Sequence, residues 1–211
     1  MQQKRVSEAV IRRLPKYYRN LLSLEALGTE RISSSELAAR MRLNPSQVRQ
    51  DFNCFGGFGQ QGYGYNVKTL LDQIRKILTD DTRHTAIVIG AGHIGQALAF
   101  FEGFERDGVS VRALFDIDER VVGTQVNGRP VLHVDALEDY IRENDIDIGI
   151  IAARRSVAQG MTERMAAAGI KGVWNFAPED VISDIPVESV NLSDSLLCLL
   201  FHMKNDAKDE A

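Results

Sequence analysis

Hydrophobic positions divide the chain into a first part with helical spacing and a second part in which apolar runs alternate with amphipathic segments. In residues 6–28 apolar side chains recur every three to four positions, which predicts helix, and Gly28 is a natural stop. Pro15 is placed to begin a fresh helix, since proline fits the first helical turn. A second stripe, behind the N-cap Asn66, predicts an amphipathic helix with these residues on one face: Val67, Leu70, Leu71, Ile74, Ile77 and Leu78.

Between these segments the sequence predicts two short helices joined by a tight turn. Ser33, with Glu36 three residues later, forms a capping box for the first helix. Asn44 caps the second helix, Pro45 takes its first position, and Gln47 is expected to close a second capping box. Two short helices with a brief turn are typical of a helix-turn-helix motif.

The second of these helices has a distinct inner and outer face. Val48 and Phe52 lie four residues apart and are expected in the core, while Tyr63 and Tyr65 in the following glycine-rich stretch could anchor a hairpin wing. Arginine and glutamine can pair in a two-pronged way with guanine and adenine edges. The outer face, which we expect to meet the major groove, consists of Ser46, Gln47, Arg49, Gln50 and Asn53.

Charge supports this interpretation. Residues 1–80 carry 13 Lys+Arg against 7 Asp+Glu, a net of +6, whereas the remaining residues carry 12 against 22, a net of −10. A basic first part on an acidic chain indicates a module that binds a polyanion. The alternative for the same residues is a solvated polar face with no partner.

A glycine motif follows a β-branched run in the second part of the chain. After the strand-forming run 85–89, Gly90 is expected to make the tight turn, Gly92 to let the backbone approach a pyrophosphate, and Gly95 to let the next helix pack on the strand. Asp116 ends the next predicted strand, at the distance this fingerprint requires. Its carboxylate would accept hydrogen bonds from a ribose and repel a 2′-phosphate, which favours NAD(H) over NADP(H).

Further helix–strand alternation predicts a doubly wound parallel sheet. After it, residues 193–203 are apolar on nearly every side of a predicted helix, so they should be buried. Burial against another subunit is favoured, and packing on the same domain is the alternative. No long apolar run or signal segment is present, Cys54 and Cys198 form no framework, and a cytoplasmic protein with reduced thiols is expected.

A bound dinucleotide could be a reactant or a signal. A dehydrogenase normally adds a substrate domain, but the sheet units use residues 85 to about 192 and leave one helix. No nucleophile–base arrangement is visible, and His93 in the glycine loop is interpreted as lining the pyrophosphate. No catalytic or metal-binding residue is therefore predicted. The alternatives are a small NAD-dependent oxidoreductase with a basic accessory domain and, more remotely, a module that binds coenzyme A.

Several motifs together resemble the Rex family of redox-sensing transcriptional repressors. They include "RRLPKYYR", "RISSSELAARM", "VRQDFNCFGGFGQQGYGYNV", "GAGHIGQAL", "FDID" and "GIKGVWNFAP". The resemblance implies a winged-helix DNA-binding domain over residues 1–80, a Rossmann NAD(H)-binding domain over 85–192 and a dimerisation helix with its tail over 193–211. It also implies a homodimer that exchanges these helices and leaves palindromic operator DNA when NADH binds, so that NADH and NAD+ act as regulatory ligands.

The motifs and the resemblance together assign three sets of site residues. Phe101 stands where the family often has a tyrosine near the nicotinamide, and Arg19 is implied to pair with Ser193 or Asp194 of the partner in one state only. The nucleotide set is Gly90, Ala91, Gly92, His93, Ile94, Gly95, Phe101 and Asp116. The DNA set is Lys16, Ser46, Gln47, Arg49, Gln50, Asn53, Gln61 and Tyr63.

Overall fold

The structure is a computed structural model in which residues 6–55, 63–79 and 82–209 are described. The chain forms two compact units, Met1–Thr82 and Arg83–Ala211. Of the predicted site residues, Gln61 lies outside the described residues.

The first unit is mainly helical, with one short antiparallel strand pair. A core of side chains from four of its helices includes Tyr17, Leu21, Leu37, Phe52 and Ile74. Its elements are α1 (Glu8–Ile11), α2 (Leu14–Ala26), β1 (Arg31–Ile32), α3 (Ser34–Met41), α4 (Pro45–Asn53), β2 (Tyr65–Asn66) and α5 (Val67–Leu78).

Most of the predicted helix starts in this unit are confirmed. Pro15 lies in the first turn of α2, and the Ser33–Glu36 capping box is formed in both directions. The Asn44 side chain accepts the Ser46 N–H, and the Asn66 side chain accepts the Thr69 N–H. These starts depend on contacts within one helical turn, which is why the local sequence predicts them.

One prediction for this unit is wrong, and the structure adds detail to two others. Gln47 closes no capping box, because its amide donates to Asp51 of the same helix instead. Ile77 keeps 39 % of its surface exposed, since only the first part of the α5 stripe is fully covered. Tyr65 is buried against Phe52, with ring centroids 5.1 Å apart, and is a core residue.

The second unit is built around a seven-stranded sheet. Its spatial order, β5-β6-β4-β3-β7-β8-β9, contains the 3-2-1-4-5-6 arrangement of dinucleotide-binding folds. The strands are β3 (His84–Ile89), β4 (Val109–Asp116), β5 (Gln125–Val126), β6 (Arg129–His133), β7 (Ile148–Ile151), β8 (Gly172–Asn175) and β9 (Val187–Ser189). The helices are α6 (His93–Ala99), α7 (Gly103–Arg106), α8 (Leu137–Glu143), α9 (Arg155–Ala168) and α10 (Leu192–Asp209).

The doubly wound prediction is confirmed except at one edge. Strand β5 is antiparallel to β6, and the two are joined through Asn127 and Gly128, both with positive φ. One sheet face packs against α6 and α7 through Ala99 and Phe104, and the other packs against α8 and α9. The order reverses between β3 and β7, so the crevice of this fold opens at their carboxyl ends.

Helix α10 lies on the surface of the single chain. Its large apolar side chains from Leu192 to Met203 are all at least half exposed, so packing on its own domain is contradicted. Within the described ranges, the structure contains no helix long and apolar enough to cross a membrane.

Candidate nucleotide and nucleic-acid sites

The outer face of α4 presents polar side chains to solvent. Arg49, Gln50, Asn53 and Ser46 are exposed, as predicted, while Val48 and Phe52 are buried beneath them. The Arg49 guanidinium donates to the Ser34 hydroxyl at 3.2 Å, and the Ser46 hydroxyl donates to the Asn44 side chain at 2.8 Å. Gln47, in contrast, is only partly exposed and faces Asp51.

Lys16 and Tyr63, which are predicted to contact DNA, and Arg19, which is predicted to act in the switch, are also at the surface of this unit. Lys16 and Arg19 are exposed on α2, with no ion pair to either among the residues that the structure describes. Tyr63 is 71 % exposed, and its backbone carbonyl accepts a hydrogen bond from Arg31. That bond ties the chain just before β2 to β1, next to the strand pair.

A buried carboxylate, which the sequence did not reveal, holds α4 against α2. Asp51 is 1 % exposed and accepts hydrogen bonds from Arg13 Nε at 2.6 Å and Nη2 at 2.8 Å. It also accepts from the Tyr17 hydroxyl and the Gln47 amide, each at 2.8 Å. The nearest sequence signal is that Asp51 lies three residues after Val48 and so shares its buried face.

The pKa values of this cluster follow from burial and charge. Burial alone would raise the pKa of the Asp51 carboxyl, but hydrogen bonds from Arg13, Gln47 and Tyr17 hold it below its ordinary value. The same bond to Asp51 raises the pKa of Arg13, against the effect of burial, and burial raises that of the Tyr17 hydroxyl. The pair is therefore ionised at neutral pH, and it fixes the orientation of α4.

In the second unit, the glycine motif forms the turn between β3 and α6. Gly90 has φ +100°, and a Cβ there would lie 2.6 Å from the Ala152 carbonyl oxygen. A Cβ on Gly95 would lie 1.8 Å from the Gly90 carbonyl oxygen, so the close helix–strand packing requires glycine. A Cβ on Gly92 would meet nothing within 4 Å, and no side chain caps α6. The N–H groups of the first turn are thus available to an anion such as pyrophosphate.

Asp116 lies beside this loop but has more partners than expected. Its Oδ2 accepts the Ala91 N–H at 2.7 Å, and its Oδ1 accepts the N–H groups of Ile117 at 2.7 Å and Asp118 at 3.0 Å. The carboxylate therefore fixes the glycine loop and the end of β4. A ribose hydroxyl would share the carboxylate with these backbone groups, which gives Asp116 a second role that the sequence did not predict.

The remaining predicted nucleotide residues border the same loop. Ala91 is buried, whereas His93 and Ile94 are exposed in the first turn of α6. Phe101 is 54 % exposed and begins a series of aromatic rings: its centroid is 5.0 Å from Phe104, which is 5.6 Å from Trp174. The single tryptophan of the chain is thus two ring contacts from the residue assigned to the nicotinamide.

A second feature missed from the sequence fixes the end of α6, next to Phe101. The Ala99 carbonyl accepts from Asn127 Nδ2 at 3.0 Å and from Arg129 Nη1 at 2.8 Å, and Arg129 Nε donates to the Val111 carbonyl. The Asn127–Gly128 pair is a hairpin signal that could have revealed this turn. A cation at a helix carboxyl end also stabilises it.

Across the ranges that the structure describes, no group of His, Cys, Asp and Glu could hold a metal ion. At the start of α10, Ser193 and Asp194 are both exposed, and the Asn191 side chain accepts the Ser193 N–H. In the part of the chain that the structure describes, neither the Ser193 nor the Asp194 side chain has a hydrogen-bond or ion-pair partner.

Both units of the chain are similar to known proteins. Residues 81–179 match a family model described as "CoA binding domain", and residues 5–53 match one described as "Putative DNA-binding protein N-terminus". The redox-sensing transcriptional repressor Rex of Clostridioides difficile (strain 630) is 49 % identical over 95 % of this chain and 97 % of its own. The chain belongs to the Rex family.

Solved structures of a Rex-family repressor called RSP agree with this assignment. RSP in complex with β-NAD+ and operator DNA is 44 % identical, with a TM-score of 0.89 over 98 % of this chain and 96 % of its own. RSP in complex with β-NADH is 41 % identical, with a TM-score of 0.90 over 98 % of both chains. Rex relatives are named as transcriptional repressors, so this Rex-family chain is a regulator and not an enzyme.

Proposed function

We propose that the chain is a redox-sensing repressor that binds operator DNA as a homodimer and releases it when NADH binds. The main supporting observation is that one chain combines an exposed polar helix face in a basic unit with an uncapped glycine loop at a sheet switch point. RSP, with the same fold along its length, has been solved with each nucleotide and with operator DNA. In this proposal the chain binds both NADH and NAD+ and is located in the cytoplasm.

The nucleotide is held in the crevice at the ends of β3 and β7. The first N–H groups of α6 bind the pyrophosphate, with Gly92 leaving the backbone open to it. Asp116 accepts from the adenosine ribose while it keeps Ala91 in place. His93 and Ile94 border the phosphates, and Phe101 contacts the nicotinamide. Bound NADH acts here as a ligand and is not consumed.

The DNA contacts come from the first unit. Arg49 and Gln50 read base edges from the exposed face of α4, while Lys16, Ser46, Asn53 and Tyr63 contact the backbone or neighbouring bases. Gln47 contacts the DNA only through the exposed part of its side chain, because its amide donates to Asp51. Gln61 completes the set in the proposed wing and lies outside the described residues.

Dimerisation connects the two activities. The half-exposed apolar side chains of α10 need a partner to cover them, and a second copy supplies an equivalent surface. Two recognition helices can then reach operator half-sites about 34 Å apart. Arg19 pairs with Ser193 or Asp194 of the other subunit in one state only. Asp194 can form a charged pair, whereas Ser193 can only accept a hydrogen bond.

A gel-shift experiment on a palindromic operator, titrated separately with NADH, NAD+ and coenzyme A, tests this function. Release by NADH at concentrations at which NAD+ and coenzyme A leave the complex intact supports it. Coenzyme A is included because the matched family model is named for it. Release by coenzyme A alone, or a complex indifferent to all three ligands, would overturn the proposal.

A further inference from the structure

An arginine follows the nucleotide-binding acid at the carboxyl end of β4. Asp116 ends the strand and accepts the Asp118 N–H, so the two acids are held next to each other, and Arg120 follows two residues later. In dinucleotide-binding folds, an acid at this strand end binds the ribose 2′-hydroxyl, and a nearby arginine accommodates a 2′-phosphate instead. This chain has both residue types within five positions.

Asp118 engages the Nε and Nη2 side of the Arg120 guanidinium. Arg120 Nε donates to Asp118 Oδ1 at 2.9 Å and Oδ2 at 3.1 Å, and Nη2 donates to Oδ2 at 2.6 Å. The Arg120 backbone N–H also donates to Oδ1, at 3.0 Å, which closes a turn around the pair. Hydrogen bonds from the Arg120 side chain and backbone lower the pKa of Asp118 to about 2. Asp118 is therefore ionised throughout the physiological range and compensates the guanidinium charge.

We propose that Asp118 is a specificity-determining residue: by binding Arg120, it denies a 2′-phosphate the cation that would otherwise accept it. NADPH is thus excluded twice, by the charge of Asp116 and by the compensation of Arg120. This inference depends on the proposed binding of NADH in the crevice. It assigns the preference for the nucleotide without a 2′-phosphate to Asp116, Asp118 and Arg120 together, instead of to Asp116 alone.

The pair is well suited to a binding test because it is exposed. The Arg120 side chain is 88 % exposed and that of Asp118 is 34 % exposed. Exposed ion pairs contribute little to folding stability, so substitutions in this turn should leave the fold intact. Asp139 and Arg142 on α8 form a matched exposed pair, also at 2.6 Å, in another part of the unit.

The experiment measures NADH and NADPH affinity by calorimetry for the full-length wild type and for three variants: Asp118→Asn, Asp118→Asn with Arg120→Ala, and Asp139→Asn. We expect Asp118→Asn to bind NADPH at least about fivefold more tightly than wild type, because the freed guanidinium can donate to the phosphate. The NADH affinity should stay within about twofold. The double variant should lose most of the gain, and Asp139→Asn should match wild type.

Each contrary outcome contradicts a distinct statement. If Asp118→Asn binds NADPH no better than wild type, Asp118 does not determine specificity. If the double variant keeps the full gain, charge repulsion by Asp118 explains it and Arg120 plays no part, which also overturns the inference. If Asp139→Asn gains equally, the effect is one of overall charge. Failure of the wild type to bind NADH would instead overturn the proposed function.

Discussion

Replacing Asp51 by asparagine should loosen α4 while leaving Ser46, Arg49, Gln50 and Asn53 on its exposed face unchanged. The carboxylate accepts four hydrogen bonds, two on each oxygen, from Arg13, Tyr17 and Gln47. An amide of the same shape keeps one accepting oxygen and turns an N–H₂ group toward the donors of the other. The substitution also removes the charge that the Arg13 guanidinium faces.

The magnitude follows from how well the cluster is shielded. Removing one partner of a fully buried ion pair costs about 3–5 kcal/mol. The Asp51 side chain is 1 % exposed, but the Arg13 side chain is 22 % exposed and water can partly rehydrate it. We therefore expect α4 to lose about 2–4 kcal/mol of protection against opening.

Hydrogen exchange of α4 backbone amides in the full chain measures this loss. A change of 2–4 kcal/mol corresponds to exchange about 30- to 700-fold faster where these amides exchange by opening of α4. Asp72→Asn is the matched control, because Asp72 is exposed on α5 of the same unit. Exchange of α4 within twofold of wild type in Asp51→Asn, or equal acceleration in Asp72→Asn, would refute the reasoning.

Four further outcomes are expected. Arg49→Ala should weaken operator binding by about 1–3 kcal/mol and relax preference at one half-site position; an equal loss on random DNA would make Arg49 a phosphate contact. Asp116→Ala should weaken NADH binding by about tenfold or more and reduce the ratio of NADH affinity to NADPH affinity. Energy transfer from Trp174 to the nicotinamide measures both affinities, and an unchanged ratio would show that Asp116 is not part of the nucleotide site. Leu197→Asp should give monomer or aggregate in sedimentation, whereas a well-behaved dimer would contradict the assigned α10 interface. Because the pKa of Asp51 is lowered in the folded state, its stabilisation is complete above its ordinary value of 3.8 and is lost as pH falls through the lower folded value; α4 protection that is unchanged after the Asp51 carboxyl has become protonated would contradict this.

Features set by neighbouring residues were predictable from the sequence. The caps by Ser33 and Asn44 and the turn at Gly90 each involve groups within a few positions of one another. For α10 the apolar pattern predicts burial, because such a helix has no polar face for water, and the structure shows that the single chain leaves its large apolar side chains at least half exposed. In these cases the local pattern and the fold require the same residues.

Features set by distant partners were not predictable. Asp51 meets Arg13 across 38 positions, and only the packing of α4 on α2 brings them together. That contact also takes Gln47 away from the capping role expected from its spacing. The backbone partners of Asp116 were missed because the motif specifies a ligand contact and says nothing about the loop that the same carboxylate holds.

We propose that the nucleotide and DNA sites are coupled through the dimer. Coupling of binding free energies is reciprocal, and about 1–3 kcal/mol gives a 5- to 150-fold change in affinity. The most direct test is NADH affinity at fixed salt with and without saturating operator, beside operator affinity with and without saturating NADH. We expect both affinities to fall by the same factor, and Arg19→Ala to reduce that factor more than it changes NADH binding to the free protein. Equal NADH affinities with and without operator would mean that the sites are uncoupled and would contradict the account.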